Sequence, residues 1–217
     1  MPEKTAIIQL KHVVGLYTFL LLAWGFYRML FQLPESLEEF IIKHIIWLAP
    51  MVYFLKKEKL PLSSIGITQK NFFPTIYLAI ILGAIFSVEG IIVNYLKHGS
   101  VEFYANIGES PFFLLIAVSL STAIVEELVF RGFIFSRLWD IVKSEWGANF
   151  MTAVGWVLIH LPIAILDWKF NLGNLLIYAA LIFAYSVGAS FVFARTKNIF
   201  SAIILNFLWQ WPIILFR

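Results

Sequence analysis

Long apolar runs with few charges follow one another along nearly the whole of this chain. A transmembrane helix needs about 20 mostly apolar residues, because the hydrocarbon core of a bilayer is roughly 30 Å thick and an α-helix rises about 1.5 Å per residue. With 61% hydrophobic and 13% charged residues, the chain also carries more apolar surface than a soluble domain of 217 residues can bury. The sequence therefore predicts an all-α fold, a polytopic transmembrane bundle of about seven helices.

The second of the predicted spans is the weakest, because it contains Lys43 and His44. Its start nevertheless has Ser36 followed three residues later by Glu39, a spacing that is typical of a capping box. A polar loop over residues 56–71 follows this span. The seven predicted spans are Val13–Phe31, Leu37–Leu55, Phe73–Leu96, Pro111–Phe135, Ala148–Leu166, Leu172–Ala194 and Phe200–Phe216.

Lysine and arginine residues are distributed unequally between the two ends of the predicted bundle. Cytoplasmic loops carry an excess of these cations, so the N-terminus is expected in the cytoplasm, in a multi-pass protein of the cell membrane. The cations flank apolar runs instead of forming a basic domain, so membrane lipid is an expected partner and nucleic acid is not, despite the net charge of +3. The N-terminal end has ten (Lys4, Lys11, Lys56, Lys57, Lys59, Lys70, Arg137, Lys143, Arg195, Lys197), and the other end has five (Arg28, Lys43, Lys97, Lys169, Arg217).

The fourth span carries three charged residues, Glu126, Glu127 and Arg131. An ionised side chain near the centre of a bilayer costs on the order of 2.5–3.5 kcal/mol on insertion scales, so such residues need an explanation. Glu127 and Arg131 are four residues apart and are predicted to pair on one helix face, whereas Glu126 points about 100° away. The carboxylates could snorkel to the membrane surface, but apolar residues continue beyond them, which favours burial. Glu127 is therefore interpreted as structural, and Glu126 as the carboxylate that is free for chemistry.

Two other spans bring polar side chains to a similar predicted depth. His160 lies about 18 Å from the cytoplasmic end of the fifth span, level with Glu126 if the fourth and fifth helices are antiparallel neighbours. Asn206 and Gln210 share one face of the seventh span. Histidines and amides inside a membrane often only join neighbouring helices, and that interpretation stays open. The shared depth nevertheless predicts one hydrated pocket formed by three helices.

The predicted pocket combines a buried carboxylate, a neutral imidazole and two amides. A carboxylate beside an imidazole is suited to activating water as a general base, and an amide can stabilise an oxyanion. This combination predicts hydrolysis of an amide or ester bond inside the membrane. A catalytic zinc needs three good protein ligands, so no tightly bound metal is expected, and zinc held by Glu126 and His160 is the alternative. A transporter fits less well, because no repeated halves are visible.

Three motifs, in this order and on separate spans, resemble those of the CAAX protease and bacteriocin-processing (CPBP, or Abi) family of intramembrane proteases. The similarity covers residues 111–217, interpreted as a catalytic core within one integral membrane domain, residues 1–217. The motif residues are Glu126, Glu127 and Arg131 in the first, Trp156 and His160 in the second, and Asn206 and Gln210 in the third.

The resemblance implies an intramembrane endopeptidase that cleaves a membrane-associated protein or peptide. Family members are thought to activate water with the first glutamate and the histidine of the second motif. By this pattern Glu126 is the base and His160 its partner. Glu127 and Arg131 form the ion pair that orients them.

The chain departs from the family pattern at three positions. Trp156 stands where the family usually has phenylalanine, which keeps an aromatic wall. Asn206 stands where a histidine is expected, and Gln210 where an asparagine is expected. Because asparagine cannot act as a base, and because some family members are linked to immunity or scaffolding, the alternative is a non-catalytic membrane scaffold or bacteriocin-immunity protein.

Overall fold

The computed structural model describes residues 3–31, 33–102 and 111–216, and these residues form seven helices. No β-strand occurs in the described residues, so the predicted all-α helical bundle is confirmed. The helices are α1 (Glu3–Leu30), α2 (residues 35–58), α3 (Phe72–His98), α4 (Phe112–Val142), α5 (Glu145–Leu166), α6 (Leu172–Thr196) and α7 (Ile199–Phe216).

Five of these helices, α1, α3, α4, α5 and α6, are long and apolar enough to cross a membrane. The described apolar stretch of α7, Ile199–Gln210, is shorter. Charged residues, among them Glu38 and Lys43, interrupt the apolar sequence of α2. The five long helices make this a membrane protein, and the crossing of α2 and α7 stays a prediction.

Several helices extend beyond the spans predicted for them. Helix α1 begins at Glu3 instead of Val13, and α4 continues past Phe135 to Val142. An apolar run predicts the part of a helix that lies in lipid, whereas the helix itself ends where the backbone turns. Helices α2 and α4 end at lysines in the left-handed conformation, Lys59 with φ 55° and Lys143 with φ 58°.

A hydrogen bond and an ion pair, at two levels, fix α2 as the antiparallel neighbour of α1. His12 Nδ1 lies 3.1 Å from Glu58 Oε1, and Arg28 Nε lies 2.9 Å from Glu38 Oε1. The first pair joins the start of α1 to the end of α2, and the second joins the end of α1 to the start of α2. Helix α2 therefore runs back beside α1 and carries its charged residues into the bundle.

Contacts between other helix ends show the same alternation of direction. Arg195 Nη1 at the end of α6 lies 3.0 Å from Glu145 Oε2 at the start of α5. Asn71, directly before α3, donates from Nδ2 to the carbonyl of Thr196 at 2.8 Å. One end of the bundle thus holds the starts of α1, α3, α5 and α7. We call it the cation-rich end, after the ten lysines and arginines assigned to it above.

Two helices contain wide π-helical turns beside the buried charges. In α4 the π-helical segment is Leu128–Phe135, and in α2 there are two segments, Glu38–Ile42 and His44–Leu48. Such turns are rare and are often found at functional sites. The predicted capping box at Ser36 is wrong, because the carboxylate of Glu39 points into the bundle and contacts neighbouring side chains.

Candidate active site

Glu126 and Glu127 lie at the end of the α-helical part of α4, where its π-helical segment begins. Both side chains are buried, since Glu126 is 5% exposed and Glu127 is 0% exposed. The alternative in which these carboxylates snorkel to the membrane surface is therefore wrong. The two side chains leave the helix in different directions, and apart from Asn206 they have different partners.

Glu127 accepts hydrogen bonds from its own helix and from two others. Arg131 Nη1 donates to Glu127 Oε1 at 3.1 Å, as the four-residue spacing predicts. The hydroxyl of Tyr185 on α6 and Nδ2 of Asn206 on α7 both donate to the same oxygen at 2.6 Å. Arg131 also donates from Nη2 to the hydroxyl of Ser186 at 2.8 Å. Glu127 and Arg131 thus form a buried ion pair that ties α4 to α6 and α7.

Glu126 faces α2, α5 and α7. Its Oε1 accepts a hydrogen bond from Lys43 Nζ at 2.8 Å, and its Oε2 accepts one from Asn206 Nδ2 at 3.3 Å. Arg131 does not pair with Glu126, but Lys43 of α2 does. The prediction that the Glu127–Arg131 pair leaves Glu126 without its cation is therefore confirmed, but a cation from another helix lies against Glu126, and its freedom for chemistry stays a prediction.

His160 is oriented by its own helix and faces Glu126. A carbonyl oxygen can only accept, so the 2.8 Å contact between His160 Nδ1 and the carbonyl of Trp156 means that Nδ1 donates. In the neutral ring, Nε2 is then the acceptor. Nε2 lies 4.0 Å from Glu126 Oε1, which is too long for a hydrogen bond. A water molecule roughly 2.8 Å from both atoms fits this separation.

Asn206 and Gln210 form a chain of amides that leads away from the glutamates. Asn206 is fully buried, and its Nδ2 bridges Glu126 and Glu127. Its Oδ1 accepts from Gln210 Nε2 at 2.6 Å, and Gln210 Oε1 accepts from the hydroxyl of Ser119 at 2.6 Å. Asn206 thus joins α7 to α4 through its Nδ2, and Gln210 joins the same two helices through its Oε1. A role of these amides as an oxyanion site stays a prediction.

The sequence analysis missed two site residues on α2, Lys43 and Glu39. Lys43 Nζ donates to Glu39 Oε2 at 2.9 Å as well as to Glu126. The hydroxyl of Thr122 on α4 donates to the same oxygen of Glu39 at 2.5 Å. A signal was present, because Glu39 and Lys43 are four residues apart inside an apolar span, like the ion pair of α4. By hydropathy Lys43 counted only against a membrane span at this position, although the same residue was evidence for a polar site inside the bundle.

A cavity of about 260 Å³ lies beside Glu126 and His160. Its walls reach Leu115 near the start of α4 and Trp168 directly after α5. Arg28, near the end of α1, also lines it, and the side chain of Arg28 is 21% exposed. The cavity therefore extends from the buried carboxylate towards the end of the bundle that is opposite the cation-rich end.

The donor groups of the site do not fit a divalent metal. Within residues 3–31, 33–102 and 111–216, no cluster of three or more histidine, aspartate or glutamate side chains could hold one. The ammonium of Lys43 also lies between the carboxylates of Glu39 and Glu126, where a bound cation would have to compete with it. Zinc held by Glu126 and His160 would therefore have only two protein ligands, one fewer than a catalytic zinc needs, and a positive charge would lie beside it. Both features disfavour this alternative.

We expect Asn206→Ala to destabilise the protein, because Glu126 and Glu127 each lose a donor and Gln210 loses its acceptor. A hydrogen bond to a charged group contributes about 1.5–3 kcal/mol, so the loss should be in that range. Thermal unfolding of the purified protein in detergent measures it. Asn174→Ala, at an exposed position of α6, is the matched control. Unchanged unfolding of Asn206→Ala would contradict a bridging role.

Residues 108–212 match the family model described as type II CAAX prenyl endopeptidase Rce1-like. The match includes Glu126, His160 and Asn206 but not α2, which supplies Lys43. No curated protein matches the chain.

Proposed function

We propose, from the premise that residues 108–212 place this chain in the CAAX protease family, that it is an intramembrane endopeptidase. It hydrolyses a peptide bond with a water molecule activated by Glu126 and His160. The observation that carries the proposal is the 4.0 Å separation of Glu126 Oε1 and His160 Nε2 beside a cavity inside the bundle.

In the proposed reaction, the water lies between the carboxylate of Glu126 and Nε2 of His160. It gives a proton to one of these groups while its oxygen attacks the carbonyl carbon of the peptide. The tetrahedral intermediate then collapses, the C–N bond breaks, and the amine leaves with the proton that the base took up. Glu127 is assigned no proton transfer in this scheme, because its carboxylate is paired with Arg131.

The proposed substrate is a membrane-associated protein or peptide. Apolar side chains such as Leu115, Val118 and Ile163 line the cavity together with the polar groups. An apolar wall beside a few polar groups is typical of sites that bind apolar ligands and orient one polar bond. Incubation of the purified protein in liposomes with membrane-anchored peptides, followed by mass spectrometry, tests the proposal. Cleavage at one defined bond supports it, and intact peptides throughout would contradict it.

A non-catalytic scaffold is the second candidate function. The observation that favours it is the ion pair between Glu126 and Lys43, together with Asn206 at the position where the family has a histidine. If Glu126 only joined neighbouring helices and catalysed no reaction, its carboxylate would need the same partners. A scaffold predicts that peptides stay intact while the loss of Glu126 changes only stability.

We also propose that the cation-rich end lies in the cytoplasm and that the cavity opens on the other side of the cell membrane. The excess of ten lysines and arginines over five supports this orientation. Of the five, Arg28 and Lys43 form ion pairs with carboxylates, and Arg217 lies outside the described residues.

Single cysteines test this orientation, because the chain contains no cysteine of its own. We expect a membrane-impermeant maleimide to label Lys169→Cys on intact cells and Lys143→Cys only after permeabilisation. The two lysines are a matched pair, since both are exposed and both have a positive φ. The reverse labelling pattern would contradict the orientation and would leave the proposed chemistry untouched.

A further inference from the structure

Lys43 is a buried cation at the centre of the candidate site. The residue is 4% exposed, and its Nζ lies 2.9 Å from Glu39 Oε2 and 2.8 Å from Glu126 Oε1. A buried ammonium is strongly unfavourable unless it is paired and hydrogen-bonded, and here it makes two charge-assisted hydrogen bonds. A hydrophobic residue at this position would avoid the cost, so the presence of lysine points to a function.

The position of the ammonium is fixed by aromatic rings as well as by carboxylates. Nζ lies 5.7 Å from the ring centre of Trp24 on α1 and 5.5 Å from that of Trp47 on α2. At this range an ammonium is attracted to the face of an aromatic ring. Helices α1, α2 and α4 therefore all contribute to holding Nζ against Glu126.

We propose that Lys43 is the resident cation of the site, a positioning residue that keeps Glu126 ionised and makes a divalent metal unnecessary. The proposal rests on the proposed peptidase function. A general base must be ionised to take a proton from water, but a buried carboxylate without a cation tends to bind a proton itself. Arg131 is engaged with Glu127, which leaves Lys43 as the cation in direct contact with Glu126 among the described residues.

The charges around Glu126 come from all the helices packed against it. Five carboxylates share this region with three cations and one neutral imidazole, so the loss of one lysine enlarges an excess of negative charge. These groups are Arg28 on α1, Glu38, Glu39 and Lys43 on α2, Glu126, Glu127 and Arg131 on α4, His160 on α5 and Asp167 directly after α5, while α7 contributes the uncharged amide of Asn206.

The test compares Lys43→Met, which removes the charge at similar size, with Lys43→Arg, which keeps it. We expect Lys43→Met to lower kcat at least about 10²-fold with little change in KM, and Lys43→Arg to retain most of the activity. The acid limb of the pH profile of Lys43→Met should move to higher pH, because Glu126 without its cation binds a proton more readily. Lys57→Met, which removes an exposed lysine of α2, is the control.

One readout separates this proposal from the proposed function. Infrared difference spectra against Glu126→Gln report the ionised carboxylate whether or not a peptide is cleaved, and the band should be weaker in Lys43→Met than in the wild type at the same pH.

An unchanged pH profile and an unchanged carboxylate band in folded Lys43→Met would overturn the role of Lys43. If Lys43→Met does not fold, two other measurements test the role of Lys43, namely the activity of Lys43→Arg and the response of wild-type cleavage to a chelator. Loss of wild-type cleavage on addition of a chelator, with recovery on addition of zinc, would likewise overturn it. Absence of any cleavage by the wild type, with the carboxylate band behaving as expected, would instead contradict only the peptidase function.

Discussion

Replacement of Glu126 by glutamine is expected to lower kcat/KM for peptide cleavage by about 10²–10⁴-fold, the usual contribution of a general base. Glutamine has nearly the shape of glutamate but cannot take a proton from water. Lys43 Nζ also lies 2.9 Å from Oε2 of Glu39, so in Glu126→Gln the ammonium still has a carboxylate partner and the variant should fold. The measurement is the rate of cleavage of a membrane-anchored peptide in liposomes.

Asp140→Asn is the control for this experiment, because it removes an exposed carboxylate of the same helix α4. It should leave the cleavage rate within about twofold of the wild type, as expected for a surface change. Equal cleavage by Glu126→Gln and wild type would contradict the peptidase function. Loss of cleavage in both variants would point to damage to α4 instead of lost chemistry.

Glu127→Ala and Arg131→Ala are each expected to destabilise the protein by about 3–5 kcal/mol, the usual cost of leaving a buried charge unpaired. Both side chains are 0% exposed, and the remaining charge would have no water to solvate it. Arg131→Ala also removes the donor to the hydroxyl of Ser186 on α6. Thermal or denaturant unfolding in detergent, with expression yield, measures the effect.

An exposed ion pair of the same chain provides the matched control. Arg195 lies 3.0 Å from Glu145, but its side chain is 45% exposed. Arg195→Ala should therefore cost less than about 1 kcal/mol. In the double variant, Glu127→Ala with Arg131→Ala, the loss should be smaller than the sum of the single losses, because no unpaired charge remains. Wild-type stability of Glu127→Ala would show that the ion pair is dispensable.

Helix α2 shows where reasoning from hydropathy fails. Its charges made it the weakest predicted span, since composition treats every charge in lipid as unfavourable. In the structure, Glu39 and Lys43 lie inside the protein, where they meet Thr122 and Glu126 of α4. Hydropathy describes a residue and its neighbours in sequence, so it cannot distinguish a charge that faces lipid from one that faces a charged partner.

The order of residues along the chain is enough to predict the class of fold and the ion pair within α4. Apolar runs and helical rise predict a helical membrane bundle, and the spacing of Glu127 and Arg131 predicts their contact, because all of these depend on distances along one helix. The partners of Glu126 depend instead on how the helices pack. Lys43 and Asn206 are 83 and 80 residues away in sequence, and only the packing and direction of α2, α4 and α7 bring them to this carboxylate.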